Sequence, residues 1–188
     1  MRDIIKNEIN DHIRVANSLH HLTEEIIKST KLCISSLNNG GKILLFGNGG
    51  SAADAQHIAA ELVGRYKVER KGLPAIALTT DTSAITSIGN DFGYTYVFDR
   101  QVEALANKGD VVIGISTSGK SDNVINALKL ASKLNCITIG FSGQDGGEMN
   151  QICNINLVVP SEDTPRIQEM HIVIGHIICH LIDQEFKV

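Results

Sequence analysis

Short apolar runs alternate with helical patterns along most of the chain. Five runs of five or six residues are almost continuously apolar, which is typical of strands buried on both faces of a parallel sheet. They occupy 42–46, 75–79, 110–115, 136–140 and 155–159. Segments with apolar residues at helical spacing lie between them, at 51–63, 82–89, 95–107 and 121–134. Because right-handed crossovers join strands that alternate with helices, this order predicts an α/β fold with a doubly wound, five-stranded parallel sheet flanked by helices.

Helical patterns also precede and follow the predicted sheet. Residues 1–38 carry apolar residues at helical spacing and end at an Asn-Gly-Gly turn, so we predict two helices there, as an N-terminal extension of one domain over 1–188. A long helix is predicted over 166–186, and its apolar residues surround most of its circumference. A sheet covers one face of such a helix only. We therefore expect the remaining faces to pack against another subunit, with residues 1–38, in a homo-oligomer.

Composition excludes several functional classes. The chain has 188 residues, of which 43% are hydrophobic and 20% charged, a size that suits one well-buried domain. A net charge of −4 without a Lys/Arg cluster argues against nucleic acid binding. No apolar run approaches the roughly 18 residues of a membrane span, and the N-terminus lacks the pattern of a signal peptide. We expect no membrane association and a cytoplasmic location. The four cysteines are widely spaced, which does not favour a zinc ribbon or a redox pair.

The first candidate site is the loop Gly47-Asn48-Gly49-Gly50-Ser51, between the first strand and the next helix. Glycines permit positive φ there, and the amides at the helix N-terminus favour a negatively charged group. In sheets of this type, ligands bind at the carboxyl ends of the strands. The loop also fits the G-x-G-x-x-A pattern of dinucleotide sites. That pattern expects an acidic residue about 20 positions later, however, and the second strand reaches Asp81 later than this.

The second candidate site is the loop Ser116-Thr117-Ser118-Gly119-Lys120-Ser121, which follows the third strand. It brings four hydroxyl groups to the start of a helix. Hydroxyl donors, backbone amides and the helix dipole together suit a phosphate monoester. The alternative is an ordinary cluster of N-capping residues, since Ser and Thr are common caps.

His57 and Glu61 are candidates for chemistry because residues four apart lie on one face of a helix. They can act as a general base with its partner or as two metal ligands. They can equally belong to a solvated polar face.

The last helix carries a second group of polar residues on an otherwise apolar pattern. Gln168 and His176 are two helical turns apart, and polar groups in such a helix need partners. His171 and His180 lie on the same helix, and spacing alone does not choose among the three histidines.

Several separated blocks resemble the sugar isomerase (SIS) family and, within it, the bacterial phosphoheptose isomerases. They extend over essentially the whole chain: Gly47–Ser51 with Gln56-His57 and Glu61-Leu62, Gly64-Arg65-Tyr66, Gly89-Asn90-Asp91-Phe92, Gly114–Gly119, and Arg166-Ile167-Gln168-Glu169 with His171 and His176. The resemblance implies an aldose–ketose isomerase that converts sedoheptulose 7-phosphate to D-glycero-D-manno-heptose 7-phosphate through an enediol. It also implies a cytoplasmic homotetramer with active sites between subunits, acting at the start of ADP-heptose synthesis for lipopolysaccharide or other surface glycans.

The resemblance further assigns residues to roles. It implies Glu61 as general base and His176 as general acid/base. It implies one Zn²⁺ ion per subunit, with the family's ligand pattern at His57, Glu61, Gln168 and His176. The implied substrate contacts are Asn48, Gly49, Gly50, Ser51, Glu61, Asn90, Asp91, Ser116, Thr117, Ser118, Ser121 and Gln168.

Two other functions are compatible with the same architecture. Some SIS proteins bind the replication initiator and do not turn over a sugar, and these lack the acid/base pair. Glu61 and His176 are both present here, and a carboxylate and an imidazole are what enediol chemistry requires, which favours catalysis. An isomerase of another phosphosugar is the second alternative, because such loops bind the phosphate and do not select the length of the sugar.

Overall fold

Five parallel strands form one sheet in the computed structural model, which describes residues 1–187. The strand order is β2-β1-β3-β4-β5. The strands are β1 (Ile43–Gly47), β2 (Ala75–Ala77), β3 (Val111–Ser116), β4 (Ile137–Gly143) and β5 (Ile155–Val159). The predicted doubly wound α/β fold is confirmed. The second strand is shorter than predicted because Thr80 turns the chain and Asp81 caps the next helix by accepting a hydrogen bond from the Ala84 amide.

Helices surround this sheet in the expected order. They are α1 (Arg2–Ser18), α2 (Thr23–Asn38), α3 (Gly50–Val63), α4 (Thr82–Asp91), α5 (Asp99–Leu105), α6 (Asp122–Lys133), α7 (Met149–Ile152) and α8 (Thr164–Phe186), with 3-10 turns at Leu19–Leu22 and Tyr94–Tyr96. The single helix predicted over 95–107 is wrong, since a 3-10 turn and the shorter α5 replace it. A four-residue helix such as α7 is too short to produce a periodic pattern. Within 1–187, no helix combines the length and hydropathy needed to cross a bilayer.

The two faces of the sheet bury different sets of helices. On β1, Ile43 and Leu45 pack with side chains of α2, α3 and α8. Leu44 and Phe46 point to the opposite face, where they pack with α5 and α6, and the Phe46 ring stacks on Phe98 with centroids 5.0 Å apart. This alternation explains why the strand reads as a continuous apolar run. It also places α3 and α8 side by side.

Several large apolar side chains of α1 and α8 remain exposed. On α1, Ile4, Ile5, Ile9 and Ile13 are all at least 50% exposed. On α8, one side is buried, but Ile177 and Leu181 are each 39% exposed. They line an open groove of about 420 Å³, together with Leu19, Ile26, Ile27 and Val173.

The chain reverses its direction across the sheet between β1 and β3. It passes from β1 outward to β2, and then returns across β1 to β3 and continues to β4. Gly47 lies opposite Ile115 in the parallel register, so the two candidate loops leave neighbouring strands at the same edge. Crevices of this kind are the usual ligand sites of open α/β sheets.

Candidate functional site

The glycine loop turns from β1 into α3 with little room for side chains. Gly49 precedes the helix with φ +56°, a conformation that L-residues with a Cβ rarely adopt. A Cβ on Gly50 would lie 2.7 Å from Nε2 of Gln168, which shows that the amide of this α8 residue rests directly on the loop. Two of the residues that the sequence singled out, from opposite ends of the chain, are therefore neighbours.

An amide pair ties the glycine loop to the start of α6. The side chains of Asn48 and Asn123 exchange two hydrogen bonds of 2.9 Å each. The hydroxyl of Tyr94 donates a third, 3.1 Å long, to Oδ1 of Asn48. Sequence reasoning missed Asn123 and Tyr94, because a pairing across 75 or 46 positions leaves no local pattern.

The hydroxyl loop is closed by its own side chains. Oγ of Ser116 and Oγ of Ser121 lie 2.9 Å apart, and the Gly119 amide donates to the Ser116 carbonyl. Ser121 precedes α6 but makes no side-chain hydrogen bond to the helix amides. Oγ of Ser118 accepts from the Lys120 amide instead, outside the helix. The loop therefore differs from an ordinary capping cluster. The Val124 amide donates to the Ser121 carbonyl, which leaves the amides of Asp122 and Asn123, the first two of α6, available to an anion.

A second group of functional side chains lies where α3 passes α8. Nε2 of His57 is 3.2 Å from Oε1 of Glu61 and 3.3 Å from Nε2 of His176. One ligand atom from each of the three side chains lies within 4.8 Å of the others. The side chain of His57 is 49% exposed and that of Glu61 is 23% exposed, so the group is open to a ligand.

The packing of α8 distinguishes the three histidines that spacing left open. His171 is fully buried and its Nε2–H donates to the Ser142 carbonyl, 2.9 Å away. Burial lowers the pKa of His171 to about 4, so this side chain is a neutral core residue at neutral pH. His180 lies beyond Tyr66, with ring centroids 6.3 Å apart. Only His176 of the three meets His57 and Glu61.

The geometry of this group fits a zinc ion. Ligand atoms of a tetrahedral zinc site lie about 3.3 Å apart, because each is about 2.0–2.1 Å from the metal. The distances from Nε2 of His57 to its two neighbours, 3.2 and 3.3 Å, agree with that spacing. Two imidazoles and a carboxylate are also ligand types that zinc accepts. His57, Glu61 and His176 can thus supply three of four ligands.

Burial and neighbouring charges shift the pKa values of two side chains, His176 on α8 and Asp54 on α3. Desolvation lowers the pKa of His176, a positive charge on His57 lowers it further, and Glu61 opposes this shift. Burial raises the pKa of Asp54 to about 6, although His57 opposes it. Asp54 lies one turn before His57, and its Oδ2 is buried without a hydrogen-bond partner among residues 1–187. A neutral His176 can both accept and donate a proton near pH 7.

The remaining expected residues make other contacts in this structure. Gln168 is eight positions before His176, a rise of about 12 Å along the helix, and it lies against Gly50. Asn90 and Asp91 are exposed at the end of α4, where the Asn90 amide donates to the Asp91 carboxylate, 2.8 Å away. The single chain therefore brings together the three clustered residues and, separately, the two loops.

Comparison with known proteins gives consistent matches over almost the whole chain. Residues 9–143 match the SIS domain family. The phosphoheptose isomerase of Aliarcobacter butzleri is 65% identical over 184 residues, which cover 98% of this chain and 97% of the relative. That of Helicobacter hepaticus is 58% identical over 185 residues, or 98% of this chain and 94% of the relative. The structure of phosphoheptose isomerase from Neisseria gonorrhoeae matches with a TM-score of 0.93 and 44% identity, covering 97% of this chain and 98% of that one.

Proposed function

The chain belongs to the SIS domain family and groups with its phosphoheptose isomerases, from which we infer that it is an aldose–ketose isomerase acting on sedoheptulose 7-phosphate. The product is D-glycero-D-manno-heptose 7-phosphate, which we place at the start of ADP-heptose synthesis for lipopolysaccharide or other surface glycans. The observation that carries the chemistry is the cluster of Glu61, His57 and His176, whose ligand atoms lie within 4.8 Å of one another across two helices. A partner-binding SIS protein that does not catalyse a reaction has no need of such an acid/base pair, so the pair favours an enzyme.

The reaction requires two proton transfers, for which the clustered residues are suited. The carboxylate of Glu61 takes the proton from C1 of the ketose, which gives an enediol, and returns a proton to C2. The imidazole of His176 moves a proton between the oxygens on C1 and C2. A carboxylate within reach of carbon and an imidazole that is neutral near pH 7 match these roles.

We propose a zinc ion as the cofactor, held by the clustered His57, Glu61 and His176. Gln168, whose amide lies against Gly50 in this structure, is the fourth ligand that the family pattern implies. When bound, the ion would polarise the substrate carbonyl and stabilise the negative charge of the enediolate. The spacing of the three clustered ligand atoms supports this assignment. A carboxylate bound tightly to a metal is a weaker base, so Glu61 acts best as a base when its contact with the ion is loose.

The phosphate of the substrate is assigned to the hydroxyl loop. The Ser116–Ser121 hydroxyl pair and the free amides of α6 offer several donors to an anion. The sugar chain then extends along the glycine loop, past Asn48 and Gln168. We propose that Thr117 and Ser118 complete the phosphate site, and that Gly49, Gly50, Ser51, Asn90 and Asp91 contact the sugar.

Removing both hydroxyls of the pair should weaken phosphate binding specifically. For Ser116→Ala/Ser121→Ala we expect KM for sedoheptulose 7-phosphate to rise by about tenfold or more, since a hydrogen bond to a charged group contributes about 1.5–3 kcal/mol. Initial rates with sedoheptulose 7-phosphate and with unphosphorylated sedoheptulose measure the effect. The slow reaction of the unphosphorylated sugar should be unchanged by the double substitution.

Ser132→Ala, at an exposed position near the end of α6, is the matched control and should behave as wild type. An equal loss of rate with the phosphorylated and the unphosphorylated sugar would show that the hydroxyl loop does not bind the phosphate. Ketohexose 6-phosphates and pentulose 5-phosphates belong in the same assay. A faster reaction with either would identify the chain as an isomerase of a different phosphosugar.

We propose a homotetramer whose active sites lie between subunits. The support is the set of exposed apolar side chains on α1 and the groove beside α8, which a second copy would cover. Light scattering should give four times the chain mass of 20.3 kDa. Ile9→Glu should lower that mass, whereas Asn10→Glu on the exposed surface of the same helix should not. A monomer mass that does not change with concentration would contradict the proposal.

A further inference from the structure

We propose that Tyr66 is a positioning residue for His176, through its aromatic ring and not its hydroxyl. The ring of Tyr66 stacks on the imidazole with centroids 5.1 Å apart and planes inclined by 19°. The inference rests on the proposed function, because it concerns the orientation of the imidazole that serves the reaction.

His176 needs a fixed ring plane to fulfil its role. Its Nε2 faces Nε2 of His57 at 3.3 Å, and the two imidazoles meet nearly edge to face, at 76°. Rotation of the His176 side chain would move Nε2 away from both His57 and Glu61. A flat ring parallel to the imidazole opposes that rotation, since it would break the stacked contact.

Tyr66 itself contacts the core and a neighbouring cation. It is half-buried and packs against the main core cluster. The ammonium of Lys67 lies 5.3 Å from the centroid of its ring, within the range of a cation–π contact. The Tyr66 ring thus contacts the core, a cation and the imidazole.

A buried ion pair fixes the loop that carries Tyr66. Nε of Arg70 donates to Oδ1 of Asp183 at 2.6 Å, and both side chains have no exposed surface. Oδ2 of Asp183 accepts hydrogen bonds from the amides of Lys67 and Val68, at 2.7 and 3.1 Å. Asp183 lies on α8, the same helix as His176, about two turns further on. The loop is therefore anchored to the helix that carries the imidazole.

The same arginine connects the loop to α3. Nη2 of Arg70 donates to the carbonyl of Glu61 and Nη1 to the carbonyl of Leu62, both at 2.9 Å. These carbonyls are among the last of α3, which lack partners within the helix. The segment after α3 is thus hydrogen bonded both to the helix of Glu61 and to the helix of His176. Tyr66 is the member of this segment that touches a reacting side chain.

The test compares Tyr66→Leu with Tyr66→Phe. Leucine keeps an apolar side chain against the core but removes the flat ring, whereas phenylalanine keeps the ring and removes the hydroxyl. We expect kcat for sedoheptulose 7-phosphate to fall about tenfold in Tyr66→Leu, with KM within about twofold of wild type. Tyr66→Phe should keep wild-type kcat. Thermal unfolding midpoints and solution mass show whether each variant is folded and assembled.

Zinc affinity from chelator competition supplies a readout that does not depend on turnover. We expect it to weaken about tenfold in Tyr66→Leu and to be retained in Tyr66→Phe, because partners that orient a ligand commonly alter affinity by 10–100-fold. Wild-type kcat and zinc affinity in folded Tyr66→Leu would overturn the inference. A loss in Tyr66→Phe equal to that in Tyr66→Leu would also overturn it, since the hydroxyl would then be the active group. An inactive wild-type protein would instead refute the proposed function and leave the affinity comparison as the test of Tyr66.

Discussion

Glu61→Gln is expected to lower kcat for isomerisation about 10³-fold while the protein folds and assembles as before. The amide has the shape of the carboxylate but cannot take a proton from carbon, and general base catalysis typically contributes about 10²–10⁴-fold. The side chain of Glu61 is partly exposed, so its neutral isostere should not disturb the packing of α3. Initial rates with sedoheptulose 7-phosphate measure the loss.

Glu69→Gln is the matched control for this substitution. Glu69 is exposed on the segment after α3 and lies outside the cluster of Glu61, His57 and His176. Glu69→Gln makes the same change of charge as Glu61→Gln and should retain wild-type kcat. Wild-type activity in Glu61→Gln would refute the assignment of Glu61 as the base.

Removal of zinc is expected to have the second-largest effect. A chelated, metal-free preparation should lose about 100-fold in kcat, and added zinc should restore it, since Lewis-acid stabilisation of an enediolate contributes several kcal/mol. Metal content and initial rates measured on the same samples link occupancy to activity. Unchanged activity in a metal-free preparation would remove the zinc proposal and leave the acid/base pair to act alone.

Substitutions can also test which side chains hold the metal. His57→Ala should lose bound zinc, because His57 lies between the other two clustered ligands. His21→Ala removes an exposed histidine outside the cluster and should keep one zinc per subunit. Full zinc content in His57→Ala would show that the ion binds at a different place.

The sequence predicted the sheet because each strand is buried on both faces. Ile43 and Leu45 pack on one side and Leu44 and Phe46 on the other, so all four positions must be apolar. The positions of both loops follow from the strand order, since parallel strands end at one edge. The boundaries of α5 and the existence of α7 were not predictable, because short helices depend on tertiary contacts more than on pattern.

Only those parts of the candidate site whose residues are close together in the sequence could be predicted from spacing. Spacing placed His57 and Glu61 on one face of α3, but it left three histidines of α8 equivalent. The choice of His176 depends on how α8 packs against α3, which is a tertiary property. The pairings of Asn48 with Asn123 and of Arg70 with Asp183 are likewise non-local, and they left no pattern in the sequence.

Asn90 and Asp91 are expected substrate contacts at the end of α4, where the Asn90 amide donates to the Asp91 carboxylate. Both side chains are exposed, and Tyr94, three positions after Asp91, hydrogen bonds to Asn48 of the glycine loop. We propose that Asn90 and Asp91 contact the substrate at a site which a second subunit completes. Light scattering on Ile9→Glu, combined with its activity, connects assembly to catalysis.

The central claim is that this chain interconverts a ketoheptose phosphate and an aldoheptose phosphate. The most direct test is to incubate the purified protein with sedoheptulose 7-phosphate, with and without added zinc, and to follow the sugar phosphates by NMR. The account predicts new anomeric signals of an aldoheptose 7-phosphate for the wild-type protein and their absence for Glu61→Gln. No aldoheptose signal from the wild-type protein under either condition would contradict it and favour a partner-binding role.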